Sequence, residues 1–136
     1  MKSGVAGLIA ALLVIPCASA AAVPERFGED CQGSEIVQTG SEAPRTLPYT
    51  IALGIDLEHR TYCYAACSRA QTYPIKAVSG SLLTLADLDA GGQSRHILLD
   101  RTSGKLIDHQ QITVGAISVK REAEAQCTPA LYPTTE

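Results

Sequence analysis

The side chains of this chain best suited to proton transfer or metal binding near neutral pH are its three histidines, His59, His96 and His109. His96 and His109 flank the turn sequence Arg101-Thr102-Ser103-Gly104. Two imidazoles facing each other across a hairpin would hold a metal or work as an acid–base pair. A four-residue loop, Arg101 to Gly104, would set His96 directly opposite His109 and Asp100 opposite Lys105. Turn chemistry favours another register, in which Gly104 is the left-handed residue closing a three-residue loop, Thr102-Ser103-Gly104. Leu99 then faces Ile107 and Ile97 faces His109. His96 moves to the opposite face with Leu98 and Asp108, because a one-residue slip exchanges the faces of a strand. That register also gathers Ile97, Leu99 and Ile107 into one apolar patch. The expectation is two separate histidines and no metal site.

The remaining chemistry-bearing residues form no stronger pattern. His59 lies between Glu58 and Arg60 in a predicted turn, where a histidine is solvated. Asp87, Asp89 and the pair Gly91-Gly92 suggest calcium, yet the twelve-residue loop and closing glutamate of an EF-hand are missing. Turn initiation by aspartate and positive φ at glycine account for those residues without a ligand. No GxSxG occurs, and no Ser-His-Asp order is singled out by spacing. Tyr62, Tyr64 and Tyr73 would offer a binding face if exposed. In a chain with no Trp and one Phe, packing is the favoured role for them. No catalytic, cofactor-binding or metal-ligating residue is therefore assigned, and no cofactor is expected.

Export is expected from the start of the chain. Met1-Lys2 is a short positive start, Val5 to Ile15 an apolar run, and Ala18-Ser19-Ala20 a small-x-small cleavage site, with Ala22 the alternative end. Residues 1–20 are thus expected to be a signal peptide, and the mature protein periplasmic or secreted. A competing reading makes Cys17 a lipidated residue that anchors the chain to a membrane, although Pro16 fits that signal poorly. Without Lys2 the chain holds 10 basic and 14 acidic residues, a formal charge of −4. Nucleic-acid surfaces need clustered Lys and Arg, and Lys120-Arg121 is followed at once by Glu122 and Glu124, so no nucleic-acid partner is expected.

Four of the five cysteines remain after cleavage, and an even number in an exported chain reads as two disulfides. Cys31 with Cys127 is the favoured first pair, since these two lie near the ends of the domain. Cys63 and Cys67 then form the second. On one straight strand their Cα atoms would stand roughly 13 Å apart, so this pairing requires a turn through Tyr64, Ala65 and Ala66. A metal reading of Cys63-Tyr64-Ala65-Ala66-Cys67 lacks a second Cys or His pair at zinc spacing.

The elements that must carry these residues are mostly strands. Leu82 to Gln110 reads as a three-stranded antiparallel meander broken at Asp89-Ala90-Gly91-Gly92 and at Arg101-Thr102-Ser103-Gly104. Tyr49 to Leu57 alternates with a period of two, its odd-numbered face apolar. Ser34 to Gln38 is a short candidate strand, and Thr61 to Tyr64 the return of a hairpin. Tyr73 to Val78 is a further strand that Pro74 confines to an edge or to a strand start. Residues 21–30 are expected to be a flexible lead-in and Thr39 to Pro48 a surface loop. Gly115 suggests a bulge or a close backbone approach within a strand from Ile112 to Val119. Lys120 to Gln126 is helix-friendly by propensity but equally able to extend that strand, with Arg121, Ala123 and Ala125 on one face, and strand is favoured because Cys127 must reach the start of the domain. Residues 31–136 thus form a single all-β domain of seven or eight strands, a small antiparallel meander, sandwich or barrel-like fold braced by disulfides, with Thr128 to Glu136 as a short tail.

The segments Asp30 to Glu35, Tyr49 to Cys67 and Leu85 to Gln110, together with Cys127 and its proline two residues on, are similar to those of a group of small exported disulfide-containing proteins of uncharacterised function from Gram-negative bacteria. The resemblance spans nearly all of the mature chain and implies no activity or ligand. Tyr132-Pro133 stands where that group would have Pro-Phe. The functional expectation is an exported, non-catalytic β-domain that binds a protein or an envelope component, its binding surface in the loops 39–48 and 63–72. The alternatives are a small periplasmic hydrolase using His and Asp groups of residues 82–110, and a structural envelope lipoprotein.

Overall fold

The structure, a computed structural model, describes residues 16–17 and 25–134. The expected signal peptide and its cleavage positions lie outside them, apart from Pro16 and Cys17, and Cys17 is exposed and outside any disulfide. Among the described residues the chain forms nine strands: β1 Arg26–Thr39, β2 Arg45–Asp56, β3 Thr61–Tyr64, β4 Thr72–Pro74, β5 Ala77–Ser79, β6 Leu82–Ala90, β7 Gln93–Asp100, β8 Lys105–Val114 and β9 Ile117–Ala130. A single 3₁₀ turn, Arg69–Gln71, precedes β4. All pairings between these strands are antiparallel.

Two meanders, β1 to β4 and β5 to β9, lie side by side because β9 returns to pair with β1 over twelve residue positions. The sheet order is β4-β3-β2-β1-β9-β8-β7-β6-β5, and the sheet curls into a half-barrel. Both edges belong to one short stretch of chain. β4 pairs with β3, the Ile75 N–H donates to the Arg60 carbonyl (2.8 Å), the Lys76 N–H donates to the Thr84 carbonyl (2.9 Å), and β5 pairs with β6. Pro74 is tolerated there because an edge residue owes no N–H to a further strand. A bulge between Thr84 and Ala86 lets the adjacent Leu85 and Ala86 both face the core while β6 bends with the sheet.

The alternation in Tyr49 to Leu57 is realised as expected. Tyr49, Leu53 and Ile55 are buried, with Ile51 and Leu57 packed against them. Leu83, Leu85, Ile97, Leu99, Leu106, Ala123 and Ala125 complete the core on the same inner face, and Ile75 fills the gap between the two edges. Cys31 is bonded to Cys127 at directly opposed positions, their Cα atoms 3.9 Å apart. Cys63 is bonded to Cys67 with Cα atoms 5.2 Å apart, which is possible because the chain leaves β3 after Tyr64 and turns through Ala65 at φ +55.

Several expectations are corrected. Residues 26–30 are not a flexible lead-in but the start of β1, held by Phe27 against the core and by pairing with both β2 and β9. The loop expected at 39–48 shrinks to 40–44, since Arg45 to Pro48 already pair with Ser34 to Val37. Gly115 is not a bulge: with φ +61 it begins the two-residue turn between β8 and β9. Thr128 to Ala130 belong to β9 rather than to the tail, and Thr134 forms a bridge with Cys67. The strands number nine where seven or eight were expected, because the edge stretch divides into β4 and β5.

Candidate functional site

The inner face divides into a sealed half and an open half. Between them lies a belt of ion pairs. Asp108 on β8 is buried and accepts three hydrogen bonds: one from the Tyr49 hydroxyl (2.8 Å) and two from the Arg95 guanidinium (3.2 and 2.8 Å). Glu35 on β1 is likewise buried and accepts two from Arg121 on β9 (3.0 and 2.7 Å). Glu35 and Asp108 both stand opposite Ala123, so the two acids share one row and the two arginines the next. Burial disfavours the charge on Arg95, but Asp108 outweighs it and holds the guanidinium pKa above its ordinary value. Burial, with Asp108 nearby, raises that of Tyr49.

Level with the belt and beyond it, four large apolar side chains of the inner face are left uncovered by the described residues. Leu47, Leu88, Val114 and Ile117 are all more than two-fifths exposed, Val114 reaching 72%. Strand alternation and register place the four on the inner side of the sheet. At one margin lies a cleft of about 290 Å³ lined by Tyr62, Tyr64, Tyr73, Lys76, Leu88 and Arg95, among others. The three tyrosine rings stand 5.5 to 5.6 Å apart, and the Arg95 guanidinium lies 5.3 Å over the Tyr64 ring. Tyr62 is a core residue at 5% exposure, whereas Tyr73 is 43% exposed. The packing role expected for the cluster therefore holds for Tyr62 and not for Tyr73.

A second, polar cleft of about 660 Å³ opens beside the β2–β3 turn, lined by Arg26, Asp56, His59, Thr61, Ser68 and Tyr132 together with neighbouring residues. Asp56 is buried at its floor. Its Oδ2 accepts two bonds from Arg26 (3.1 and 2.7 Å) and lies 2.9 Å from His59 Nδ1, while Oδ1 accepts the His59 backbone N–H (3.0 Å). Asp56, Glu58 and His59 offer ligand atoms within 4.8 Å of one another. Arg26 nonetheless places a fixed positive charge on the carboxylate a cation would need. This cluster is a braced turn rather than a cation cradle.

The histidines of the meander occupy the outer face. The register across the β7–β8 turn is the one with a four-residue loop: Leu99 faces Leu106, Ile97 faces Asp108, and His96 faces His109. This overturns the expected three-residue loop. Gly104 is left-handed (φ +72), but its N–H donates to the Asp100 carbonyl (2.8 Å), and the Asp100 side chain accepts the Thr102 N–H (2.9 Å). Asp100, not Arg101, thus begins the turn. Asp108 faces inward and away from His96 and His109, so the acid committed to Tyr49 and Arg95 is not available to either imidazole. The Arg95–Asp108–Tyr49 set escaped the sequence reading because Tyr49 and Asp108 are 59 residues apart and no local pattern couples them. Strand parity alone would have placed Arg95 on the face of Ile97 and Leu99, and a lone arginine on a core face demands a buried acid. No protein-family model, no curated protein and no solved structure matches the chain.

Proposed function

We propose that this chain is an exported, non-catalytic β-domain that binds a protein partner on the open half of its inner face. The observation that carries the proposal is the set of exposed apolar side chains on the inner face, Leu47 and Leu88 level with the ionic belt and Val114 and Ile117 beyond it, since exposed apolar surface on an otherwise filled domain marks an interaction site. The tyrosine cleft at its margin supports the same reading. At about 290 Å³ it falls at the lower limit of small-molecule pockets, which run from roughly 300 to 1,000 Å³, and suits one inserted side chain. Tyr73 adds a large rigid contact at small entropic cost, the hallmark of interface hot spots. Export is supported by the amino-terminal pattern and by the two disulfides.

A photo-crosslinking residue at Leu88 or Tyr73 in the oxidised protein, exposed to envelope extract, is expected to capture a defined protein. Val114→Asp and Ile117→Asp in the same chain should abolish that capture. Equal capture with those substitutions, or co-sedimentation with purified cell-wall or lipid fractions alone, would overturn the protein-binding reading in favour of an envelope component. The mass of the mature amino terminus tests export: Ala21 or Val23 is expected first, and a lipidated Cys17 would instead make the protein membrane-anchored.

A further inference from the structure

The corrected register creates a row of side chains on the outer face that a protein-binding role leaves unused. Asp87 on β6 is paired with His96 on β7, His96 with His109 on β8, and His109 with Glu122 on β9. Directly opposed residues share a face with Cβ atoms about 5 Å apart, so the order across four adjacent strands is acid, imidazole, imidazole, acid. Asp87, His96 and His109 are exposed and Glu122 partly so.

From this arrangement we infer that His96 and His109, with Glu122, form a binding site for a divalent transition-metal ion of the zinc or copper type. His96 Nδ1 lies 2.7 Å from Asp87 Oδ1. A carboxylate that accepts the Nδ1–H of a histidine fixes its tautomer and leaves Nε2 as the free donor, the arrangement that accompanies metal-ligating histidines generally. The ligand atoms of His96, His109 and Glu122 do not all lie within 4.8 Å of one another in the structure; metal–imidazole bonds of about 2.0 to 2.1 Å in a tetrahedral shell need ligand nitrogens about 3.3 Å apart, so binding requires these exposed side chains to rotate toward a common point. Glu122, on the far side of His109, supplies an oxygen, and water fills the remaining position. Lys120 pairs with Glu122, its ammonium 2.8 Å from Oε1, and is the group the metal must displace. Imidazole with carboxylate suits zinc and copper, whereas calcium and magnesium require shells built from oxygen. The Asp56–Glu58–His59 cluster has its ligand atoms closer together, but its carboxylate is buried and held by two bonds from Arg26, whereas the Lys120–Glu122 pair is exposed and easily exchanged. A bound ion would tie β7 to β8 and β9 on the face away from the proposed partner.

Zinc titration by calorimetry, on the oxidised full chain carrying Cys17→Ser so that no thiol competes, tests the assignment. One ion per chain is expected. His96→Asn or His109→Asn should weaken binding at least ten-fold, Asp87→Asn and Glu122→Gln by smaller factors, and Lys120→Gln should tighten it. Copper should broaden the imidazole NMR signals of His96 and His109 and leave those of His59 sharp. Absence of binding, binding indifferent to the His96 and His109 substitutions, or binding lost in His59→Asn would overturn the inference. All of these variants change exposed or partly exposed side chains, and a retained melting transition in each verifies the fold.

Discussion

Asp56 shows how one side chain can make folding depend on pH. Burial alone would raise its pKa. The His59 backbone N–H, the Arg26 guanidinium and the His59 ring outweigh that effect and bring it down to about 2. A carboxyl whose pKa is lower in the folded chain stabilises it above the unfolded value, near 3.9, and that contribution is lost as pH falls toward 2. Urea unfolding at pH 6 should therefore find Asp56→Asn clearly less stable than the parent chain. At pH 2 the two should converge. A gap between them that stays constant from pH 6 to pH 2 would show that the Asp56 charge is not what stabilises the turn. The short-range part of this site, a turn from Asp56 to Arg60, was legible in the sequence. Arg26 was not, because it lies 30 residues away in a stretch with no apolar period, and only the β1–β2 register brings it to Asp56.

Among the elements, the meander shows where sequence reading succeeds and where it slips. Its strands and turns follow from Gly91-Gly92, Gly104 and the apolar runs between them. The β7–β8 register does not, because Leu98-Leu99 and Leu106-Ile107 are tandem apolar pairs and either register buries one leucine from the first against an apolar residue from the second. The deciding bonds are those to Asp100, a matter of a single side chain. The β2–β3 hairpin was better determined, since alternation in β2 fixes its faces and leaves Gly54 on the outer one, opposite Cys63. A Cβ on Gly54 would come within 2.4 Å of Cys67 Sγ, 2.8 Å of Cys63 Sγ and 3.0 Å of Pro133 Cδ. The missing side chain is what lets the disulfide and the carboxyl-terminal segment lie flat on the sheet. Gly54→Ala is expected to destabilise the oxidised protein by about 1 to 3 kcal/mol, the usual cost of overpacking. The same substitution in a chain lacking Cys63 and Cys67 should cost much less. Equal costs in the two backgrounds, measured by denaturant unfolding, would remove the disulfide from this account.

At the scale of the whole molecule, the β1–β9 pairing joins two meanders that are otherwise local, and it does so across nearly the full length of the chain. Such a contact carries a large loop-closure cost, and the Cys31–Cys127 bond, spanning 96 residues, removes much of that cost from the unfolded state. The chain-entropy relation assigns it about 4.7 kcal/mol, against about 2 kcal/mol for Cys63–Cys67, whose separation is four residues. The two disulfides therefore differ in reach: one holds the halves of the sheet together, the other shapes a turn beside the β3 edge. Replacing Cys31 and Cys127 by serine should lower the melting temperature by roughly 15 to 20 °C for a domain of this size, and replacing Cys63 and Cys67 by less than about 10 °C. Hydrogen exchange separates the mechanisms further. Loss of the long-range bond should speed exchange of β1 and β9 amides together, because they open as one unit, whereas loss of the short one should affect only β3 and the segment that follows. Equal melting losses from the two double substitutions would mean that the sheet halves hold together without the covalent link, through the inner-face core and the Glu35–Arg121 pair that crosses the same seam.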